Sequence, residues 1–256
     1  MKRDFAQGLA LTAVQAPVLF APLLMWSPRS SPPLFPSFVA QHTVTFDPDD
    51  PTDLGAQFPG VLLPASLARA VRSRQMEFLA GRLCAREALR ACAPERLETV
   101  VAIGPRGAPI WPLGVVGAIT HTAGFASVAV TRTVHARAVG LDAERILDEK
   151  EAGRLLDQIA DPDEVSTIAR ATGWSTATTL TASFSAKETI FKCLFAEVNR
   201  YFDFRDAWLE AFDPDCNTFR ARLVTTLAPS LPAGHALTGR FSLDAGTVYT
   251  AMMLHP

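Results

Sequence analysis

Cysteine is scarce in this chain, and its spacing excludes the common structural metal sites. The 256 residues contain four cysteines, Cys84, Cys92, Cys193 and Cys216, and no two of them form a C-x-x-C pair. None has the spacing to a histidine that zinc sites require. Scattered cysteines of this kind are typical of reduced thiols in the cytosol, so we expect a cytoplasmic protein.

An excess of positive charge is also missing. Lys and Arg number 24 against 26 for Asp and Glu, which gives a formal net charge of −2 at pH 7. Polybasic runs mark proteins that bind nucleic acid, and the chain has none, so no nucleic-acid partner is expected. A hydrophobic content of 48% and a charged content of 20% indicate a globular protein with one large domain or two small ones.

A long unbroken apolar run is lacking as well. The N-terminal stretch MKRDFAQGLALTAVQAPVLFAPLLMW begins with two basic residues, as a secretory signal does. However, Gln15 interrupts the stretch, Pro17 and Pro22 break it, and no small-x-small cleavage site follows. A membrane helix needs about 20 apolar residues. We therefore interpret the stretch as an irregular or strand-like lead-in and expect no membrane association; a cleaved signal is the alternative.

The remaining sequence alternates between helical and strand patterns. Apolar spacing predicts a long helix over 67–91, with Phe78, Leu79, Leu83 and Leu89 as its buried stripe. Shorter helices are predicted over 162–170 and from 176 towards 185, and strands in VVGAIT, FASVAVT, ARAVGLDAERI, FRARLV, LTGRFSL and TVYTAMM. Helices interleaved with mostly antiparallel strands predict an α+β fold. We expect two units, 1–133 and 134–256, with the charged motifs described below mainly in the second.

Two acids stand one residue apart in VGLDAERI. On a strand, Asp142 and Glu144 point to the same face, roughly 7 Å apart at their bases. A divalent cation would relieve their repulsion, and Mg²⁺ prefers carboxylate oxygen while keeping waters and substrate phosphates as its other ligands. The alternative is an exposed strand face with two ordinary acids, which is the commoner meaning of an isolated D-x-E.

The segment FSAKETIFKCLF has its apolar residues at helical spacing, and the other side of this helix carries Lys187, Glu188 and Lys192. Two lysines that bracket a glutamate can handle phosphate. A structural alternative is that Ser185 and Glu188 form the capping box of a helix N-terminus. Glu188 and Lys192 can also form an ordinary i, i+4 pair, worth about 0.2–0.5 kcal/mol.

Thr120 and His121 end a predicted strand beside Gly124, where a backbone can approach a ligand closely. Such a histidine is either a partly buried, hydrogen-bonded residue or one that binds phosphate or passes a proton.

Three arginines complete the candidate set. Arg74 and Arg82 lie eight positions apart on the long helix, so both can face the same side, and Arg106 stands in the GPRGAP turn. Helix arginines are usually solvated, but the planar guanidinium is well suited to phosphate.

The order of four segments is more informative than any one of them. RSRQMEFLAGRLCAREAL, GPRGAPIWPLGVVGAITHTAG, VGLDAERI and FSAKETIFKCLF follow one another over 74–195, nearly half the chain. Together they resemble the 4′-phosphopantetheinyl transferases, especially the longer, pseudo-dimeric class that serves siderophore, polyketide and nonribosomal peptide synthesis. The D-x-E element combined with F-S-x-K-E-x-x-x-K is quite specific, and the W-P…G-x-x-x-H block adds to it.

The resemblance implies a reaction and a fold. The reaction moves the phosphopantetheine arm of coenzyme A to a serine of an acyl or peptidyl carrier protein, releases adenosine 3′,5′-bisphosphate and needs Mg²⁺. The fold has two similar α+β halves with the active site in the cleft between them, and a monomer is expected. The alternatives are a coenzyme A-binding partner or regulator without transferase activity and an unrelated secreted protein.

The resemblance also implies residue roles. Three acids match the metal positions, the last of them as ligand, general base or both: Asp142, Glu144 and Glu188. The other matches lie near the coenzyme phosphates: Lys187 and Lys192 at the pyrophosphate, His121 and the preceding Thr120 at the phosphates, and Arg74, Arg82 and Arg106 around the 3′-phosphate. Glu188, Lys192 and His121 are the expected catalytic residues. Ala143, between the acids, cannot help a metal as a polar residue would, so water is expected in its place.

Overall fold

A computed structural model describes residues 26–28, 34–96, 100–122 and 124–256. Residues 1–25, most of the N-terminal stretch interpreted as a lead-in, lie outside the described residues, so that interpretation stays a prediction. In the described part of the chain, no helix combines the length and the apolar character needed to cross a membrane.

Helices and strands alternate along the described residues, as the α+β prediction requires. In chain order the elements are β1 (Trp26–Pro28), β2 (Ala40–Phe46), α1 (Leu54–Gln57), α2 (Arg72–Cys92), β3 (Ala102–Ile103), β4 (Pro109–Ile110), β5 (Val115–Thr122), β6 (Phe125–Arg132), β7 (Ala138–Arg145), α3 (Glu149–Ile159), α4 (Pro162–Thr172), α5 (Thr176–Val198), β8 (Ala207–Asp213), β9 (Thr218–Leu223), β10 (Ala236–Asp244) and β11 (Thr247–Leu254).

Two antiparallel sheets carry the fold. The first has the strand order β1-β2-β6-β5 and the second β7-β11-β10-β9-β8, while β3 and β4 form a separate pair. Helix α2 packs on the first sheet and α5 on β7 and β11 of the second. Each helix–sheet pair encloses its own apolar core. A mixed α+β fold is therefore confirmed.

The two sheets meet where β5 contacts β7. Ala118 from β5 and Val139 and Leu141 from β7 belong to one buried cluster at this junction. The chain passes from the first sheet to the second between Arg132 and Ala138. The predicted boundary between 133 and 134 falls within this connection, and the division into two similar halves stays a prediction.

The long helix of the first unit is confirmed, but it begins later than predicted. Residues 65–67 form a separate 3-10 turn and α2 starts at Arg72. The Gln75 amide donates to the carbonyls of Leu67 and Ala68 at 3.0 and 3.1 Å, which folds this segment back over the helix start. Leu79, Leu83 and Leu89 are buried as expected, whereas Phe78 is only half-buried and lines a cleft.

Helix α5 runs unbroken through the whole FSAKETIFKCLF segment. Its N-cap is Ser175, whose hydroxyl accepts from the Thr178 N–H at 3.2 Å. Ser185 lies inside the helix, where its hydroxyl is hydrogen-bonded to that of Thr250 at 2.8 Å. The capping box of Ser185 and Glu188 was therefore a wrong alternative, because Ser185 is not at a helix N-terminus.

Gly140 lets α5 lie close against β7. A Cβ at this position would overlap the Thr189 carbonyl oxygen and lie 2.8 Å from the Cys193 Cβ. Only glycine permits such an approach of helix backbone to strand. The approach brings Lys192 of α5 next to Asp142, two positions after Gly140.

Lys187 corrects one sequence-based assignment. It was expected at the coenzyme pyrophosphate, but its side chain is 2% exposed and its Nζ lies 3.0 Å from Glu164 Oε1 of α4. The same carboxylate accepts from the Leu209 N–H at 3.1 Å. Successive helix residues point about 100° apart, so Lys187 faces the interior while Glu188 does not. Lys187 joins α4, α5 and β8.

Replacing Lys187 with methionine should destabilise the protein. Removing one partner of a buried ion pair leaves the other charge uncompensated, which costs about 3–5 kcal/mol. Urea unfolding should show this loss for K187M, and the double variant E164Q/K187M should recover most of it because no buried charge remains. A K187M protein with wild-type stability but no activity would instead place the Lys187 ammonium at the substrate.

Candidate active site

A cleft of about 440 Å³ opens between the α2 side and the α5 side of the molecule. Its walls come from α2, β5, the loop around β3 and β4, the second half of α5 and Tyr201. Six of the ten predicted site residues line it: Arg74, Arg82, Arg106, His121, Glu188 and Lys192. Residues from both units therefore face one space.

Asp142 lies at the base of this site and is 2% exposed. Its Oδ1 accepts from Lys192 Nζ at 2.6 Å and from the Thr120 hydroxyl at 3.0 Å. The Thr120 hydroxyl in turn accepts from the Ala143 N–H at 3.3 Å. Thr120 was expected to contact the coenzyme, but its buried hydroxyl instead links β5 to β7 and holds Asp142 in place.

Lys192 offsets the negative charge of three acids. Burial lowers its pKa, but the carboxylates of Asp142, Glu188 and Glu144 outweigh this and raise the pKa above its ordinary value. The side chain is 26% exposed and lines the cleft, while its ammonium is held against Asp142.

Glu144 and Glu188 sit in the field of the same charges. Burial and repulsion from Asp142 and Glu188 raise the pKa of Glu144 to about 8, although Lys192 opposes the shift. The pKa of Glu188 is also raised, mainly by burial and further by Asp142, again against Lys192. The three carboxylates on this side of the site thus outnumber the one ammonium group, that of Lys192, that offsets them.

The opposite wall holds a connected basic and acidic group. Arg74 Nη1 lies 2.7 Å from His121 Nε2 and 3.3 Å from Glu77 Oε2. His121 Nδ1 lies 3.4 Å from the same Glu77 oxygen. Burial lowers the pKa of His121, Glu77 raises it, and Arg74 and Lys192 lower it further.

Arg82 follows Arg74 by eight positions on α2 and also lines the cleft. Its Nε is buried and has no hydrogen-bond partner among the described residues. The guanidinium lies 4.9 Å from the centre of the Phe78 ring, and burial lowers its pKa. A guanidinium donor held against an aromatic ring without an acceptor is well placed for an anionic ligand.

Arg106 reaches across the cleft. Its backbone has a positive φ of 56°, and its Nη1 donates to the Asn199 carbonyl oxygen at 3.0 Å, just after α5. The guanidinium therefore bridges the two walls of the cleft in this conformation.

Sequence reasoning did not assign several cleft-lining residues to the site, among them Glu77, Phe191, Phe195 and Tyr201. Glu77 stands three positions after Arg74, where helical spacing places it on the same side. The two phenylalanines were assigned to the packed side of α5, and Tyr201 follows the helix without any motif. Thr120, Asp142, Glu144 and Lys187 are the predicted residues that do not line the cleft itself.

Two segments of the chain match models of known protein families. Residues 63–131 match the 4′-phosphopantetheinyl transferase N-terminal domain, and residues 138–243 match the 4′-phosphopantetheinyl transferase superfamily. The chain is 37% identical over 231 residues to the 4′-phosphopantetheinyl transferase Svp of Streptomyces mobaraensis, covering 86% of this chain and 87% of that protein.

The chain belongs to the 4′-phosphopantetheinyl transferase family.

Two further relatives extend the comparison across this transferase family. The 4′-phosphopantetheinyl transferase PptT of Mycobacterium tuberculosis is 33% identical over 197 residues, 73% of this chain and 82% of that protein. Enterobactin synthase component D of Escherichia coli O157:H7 is 37% identical over 155 residues, 60% of this chain and 71% of that protein. The resemblance to the 4′-phosphopantetheinyl transferases that was inferred from motif order is thus confirmed.

In this transferase without bound cation, Glu144 should make stability depend on pH. Its pKa is about 8 in the folded protein against an ordinary 4.5. Between these values the unfolded chain releases a proton that the folded protein retains, so stability is complete below pH 4.5 and falls as pH rises towards 8.

The E144Q variant, which cannot titrate there, should lose this dependence. In chelator, the free energy of unfolding of wild type relative to E144Q should fall by up to about 1.4 kcal/mol per pH unit in that window. The comparison removes the pH dependence of groups that titrate alike in both proteins, and the remaining difference reports Glu144 together with its coupling to Glu188. Parallel curves for wild type and E144Q would contradict the expectation.

Proposed function

We propose that this protein transfers the 4′-phosphopantetheine moiety of coenzyme A to a serine of an apo acyl or peptidyl carrier protein and releases adenosine 3′,5′-bisphosphate. The observation that carries the proposal is the cleft in which Lys192, paired with buried Asp142, and Glu188 face the basic wall of Arg74, Arg82 and His121. Phosphoryl transfer depends mainly on positioning and on neutralising charge, and this cleft supplies both.

The two walls suit the two ends of coenzyme A. Arg82, with a buried donor that has no partner in the described part of the chain, is suited to the 3′-phosphate, and Arg74 and His121 lie on the same side. Phe191, Phe195 and Tyr201 give the other side an apolar surface that fits the pantetheine arm. Binding in this orientation would leave the pyrophosphate near Lys192.

The acids fit a magnesium ion. Asp142 Oδ2 is buried and has no hydrogen-bond partner among the described residues, and Glu144 and Glu188 share its negative field. The described residues contain no ready-made group of three metal-ligating side chains. Mg²⁺ commonly takes only one or two carboxylates and completes its shell with water and substrate phosphates, so Asp142 and Glu144, with Glu188, are the residues that would hold it. When bound, it supplies charge neutralisation at the pyrophosphate.

The residues of the chain then divide the remaining work. Glu188 accepts the proton of the carrier serine, directly or through water, and its raised pKa suits a base that works near neutral pH. Lys192 presents its ammonium to the oxygen of the departing phosphate and stabilises the charge that develops there. The Thr120 hydroxyl of β5 donates a hydrogen bond to the Asp142 carboxylate of β7 and so holds it in place.

The two sheets with their helices, 1–133 and 134–256, act as the halves of a pseudo-dimer within one monomer, since the cleft already draws residues from both. All four cysteines carry free thiols, which supports a cytoplasmic enzyme of secondary metabolism. A coenzyme A-binding regulator without activity is the less favoured function, because binding alone would not require the acids beside Lys192.

Incubation of the protein with coenzyme A, Mg²⁺ and a panel of apo carrier proteins, read by intact-mass spectrometry, tests the proposed function. A carrier should gain one phosphopantetheine group, and excess chelator should abolish the gain. Coenzyme A binding without modification of any siderophore, polyketide or fatty-acid carrier would favour the regulator.

Glu188→Gln should fold normally and turn over slowly. Glutamine keeps the shape of the side chain and cannot accept the serine proton, and a positioned base contributes about 10²–10⁴-fold to kcat. Glu197→Gln is the matched control, because Glu197 lies near the end of the same helix, pairs with Arg137 and does not line the cleft. Equal kcat for the two variants would remove Glu188 from the reaction.

Arg82→Ala should abolish discrimination between coenzyme A and 3′-dephospho-coenzyme A. A charge-assisted contact is worth about 1.5–3 kcal/mol, or roughly 10- to 100-fold in kcat/KM. The variant should lose this factor on coenzyme A and much less on the dephospho substrate. Arg90→Ala, which removes an exposed arginine paired with Glu87 on the same helix, should leave both values unchanged. An equal loss on both substrates would assign Arg82 to the fold.

A further inference from the structure

Glu77 is out of place in a cleft that binds phosphates. It lines the cleft beside Arg74 and His121, and no role in the proposed reaction uses a carboxylate on this wall. A carboxylate facing a highly anionic ligand is repulsive unless it acts through a neighbouring group. Its two neighbours are the residues that would meet the coenzyme phosphates.

The contacts of His121 determine which of its nitrogens carries the proton. Arginine can only donate hydrogen bonds, so the 2.7 Å contact from Arg74 Nη1 makes His121 Nε2 an acceptor. In the neutral ring the proton is then on Nδ1, and Nδ1 lies 3.4 Å from Glu77 Oε2, an electrostatic contact that is longer than an ordinary hydrogen bond. The second nitrogen of a histidine is commonly oriented in this way by a carboxylate.

We propose that Glu77 is a positioning residue, which holds the His121 ring through Nδ1 so that Nε2 faces the coenzyme phosphates, and which also restrains Arg74 at the same place. Once a phosphate draws the Arg74 guanidinium to itself, Nε2 is free to take a proton and donate to the anion. Glu77 then stabilises the imidazolium from behind. The proposal rests on the proposed function for the identity of the anion, but its structural part does not.

A simpler role for Glu77 is the i, i+3 pair with Arg74, separated by 3.3 Å. Exposed pairs of this kind contribute little to stability, and such a pair would leave His121 unaffected. The two roles differ in what happens to the His121 ring, which can be observed directly in the substrate-free protein.

The test compares Glu77→Gln, Glu77→Leu and the control Glu87→Gln, whose carboxylate pairs with Arg90 of the same helix and lies outside the cleft. Nitrogen-15 NMR of the histidine side chains, with His121 assigned from a H121N spectrum, reports the tautomer. Wild type, E87Q and E77Q should show Nδ1–H, because glutamine still offers an oxygen acceptor. E77L should show a mixture of tautomers, because leucine neither contacts Nδ1 nor restrains the Arg74 guanidinium that donates to Nε2.

Titration of the same signals adds a second readout. Arg74 and Glu77 of α2 and Lys192 of α5 are the charged groups that act on His121. Loss of the negative charge in E77Q should therefore lower the pKa of His121 relative to wild type while the tautomer is retained.

The affinity for coenzyme A, measured by calorimetry, should weaken about tenfold in E77L, less in E77Q, and not at all in E87Q.

An unchanged His121 spectrum in E77L would overturn the proposal, whatever happens to coenzyme A binding. A changed tautomer with wild-type coenzyme A affinity would overturn it as well, since the orientation would then serve no binding role. Failure of every carrier to be modified, with the His121 results as expected, would instead overturn the proposed transfer reaction and leave the positioning role supported.

Discussion

The contact between Lys192 and Asp142 is the interaction on which the site depends. It joins α5 to β7 at 2.6 Å, and Thr120 of β5 holds the same carboxylate oxygen from the other sheet. Three elements from two units thus converge on one oxygen atom. The convergence requires α5 to lie close to β7, which Gly140 permits by leaving no Cβ to meet the helix backbone.

The same contact organises the charges of the cleft. The carboxylates of Asp142, Glu144 and Glu188 repel one another. In the protein without substrate or metal, the Lys192 ammonium offsets this repulsion. One Asp142 oxygen remains buried without a partner in the described chain, so the acidic side is not fully compensated. Across the cleft the charges are mostly positive, and an anionic substrate can therefore lie between two walls of opposite character.

Helix α5 carries a structural lysine and a functional lysine on different faces. Lys187 and Lys192 stand at positions about 140° apart around the helix axis, and only Lys192 faces the cleft. Lys187 instead forms a buried pair with Glu164 of α4. Neighbouring charged residues within one motif can therefore serve the interior and the active site, and their place in the sequence does not distinguish them.

The sequence by itself determined the α+β class, the long helix before the D-x-E strand and the family, because helical and strand periodicities are local and the motif order is specific. It also identified Asp142, Glu188 and Lys192 as the charged group to examine. Only the tertiary structure decided that Thr120 anchors Asp142, that Lys187 is internal, and that Glu77 contacts His121, which follows it by 44 positions. These contacts join residues far apart in the chain or on different faces of one helix. They follow from how α2, β5, β7 and α5 pack together, and no local pattern in the sequence specifies that packing.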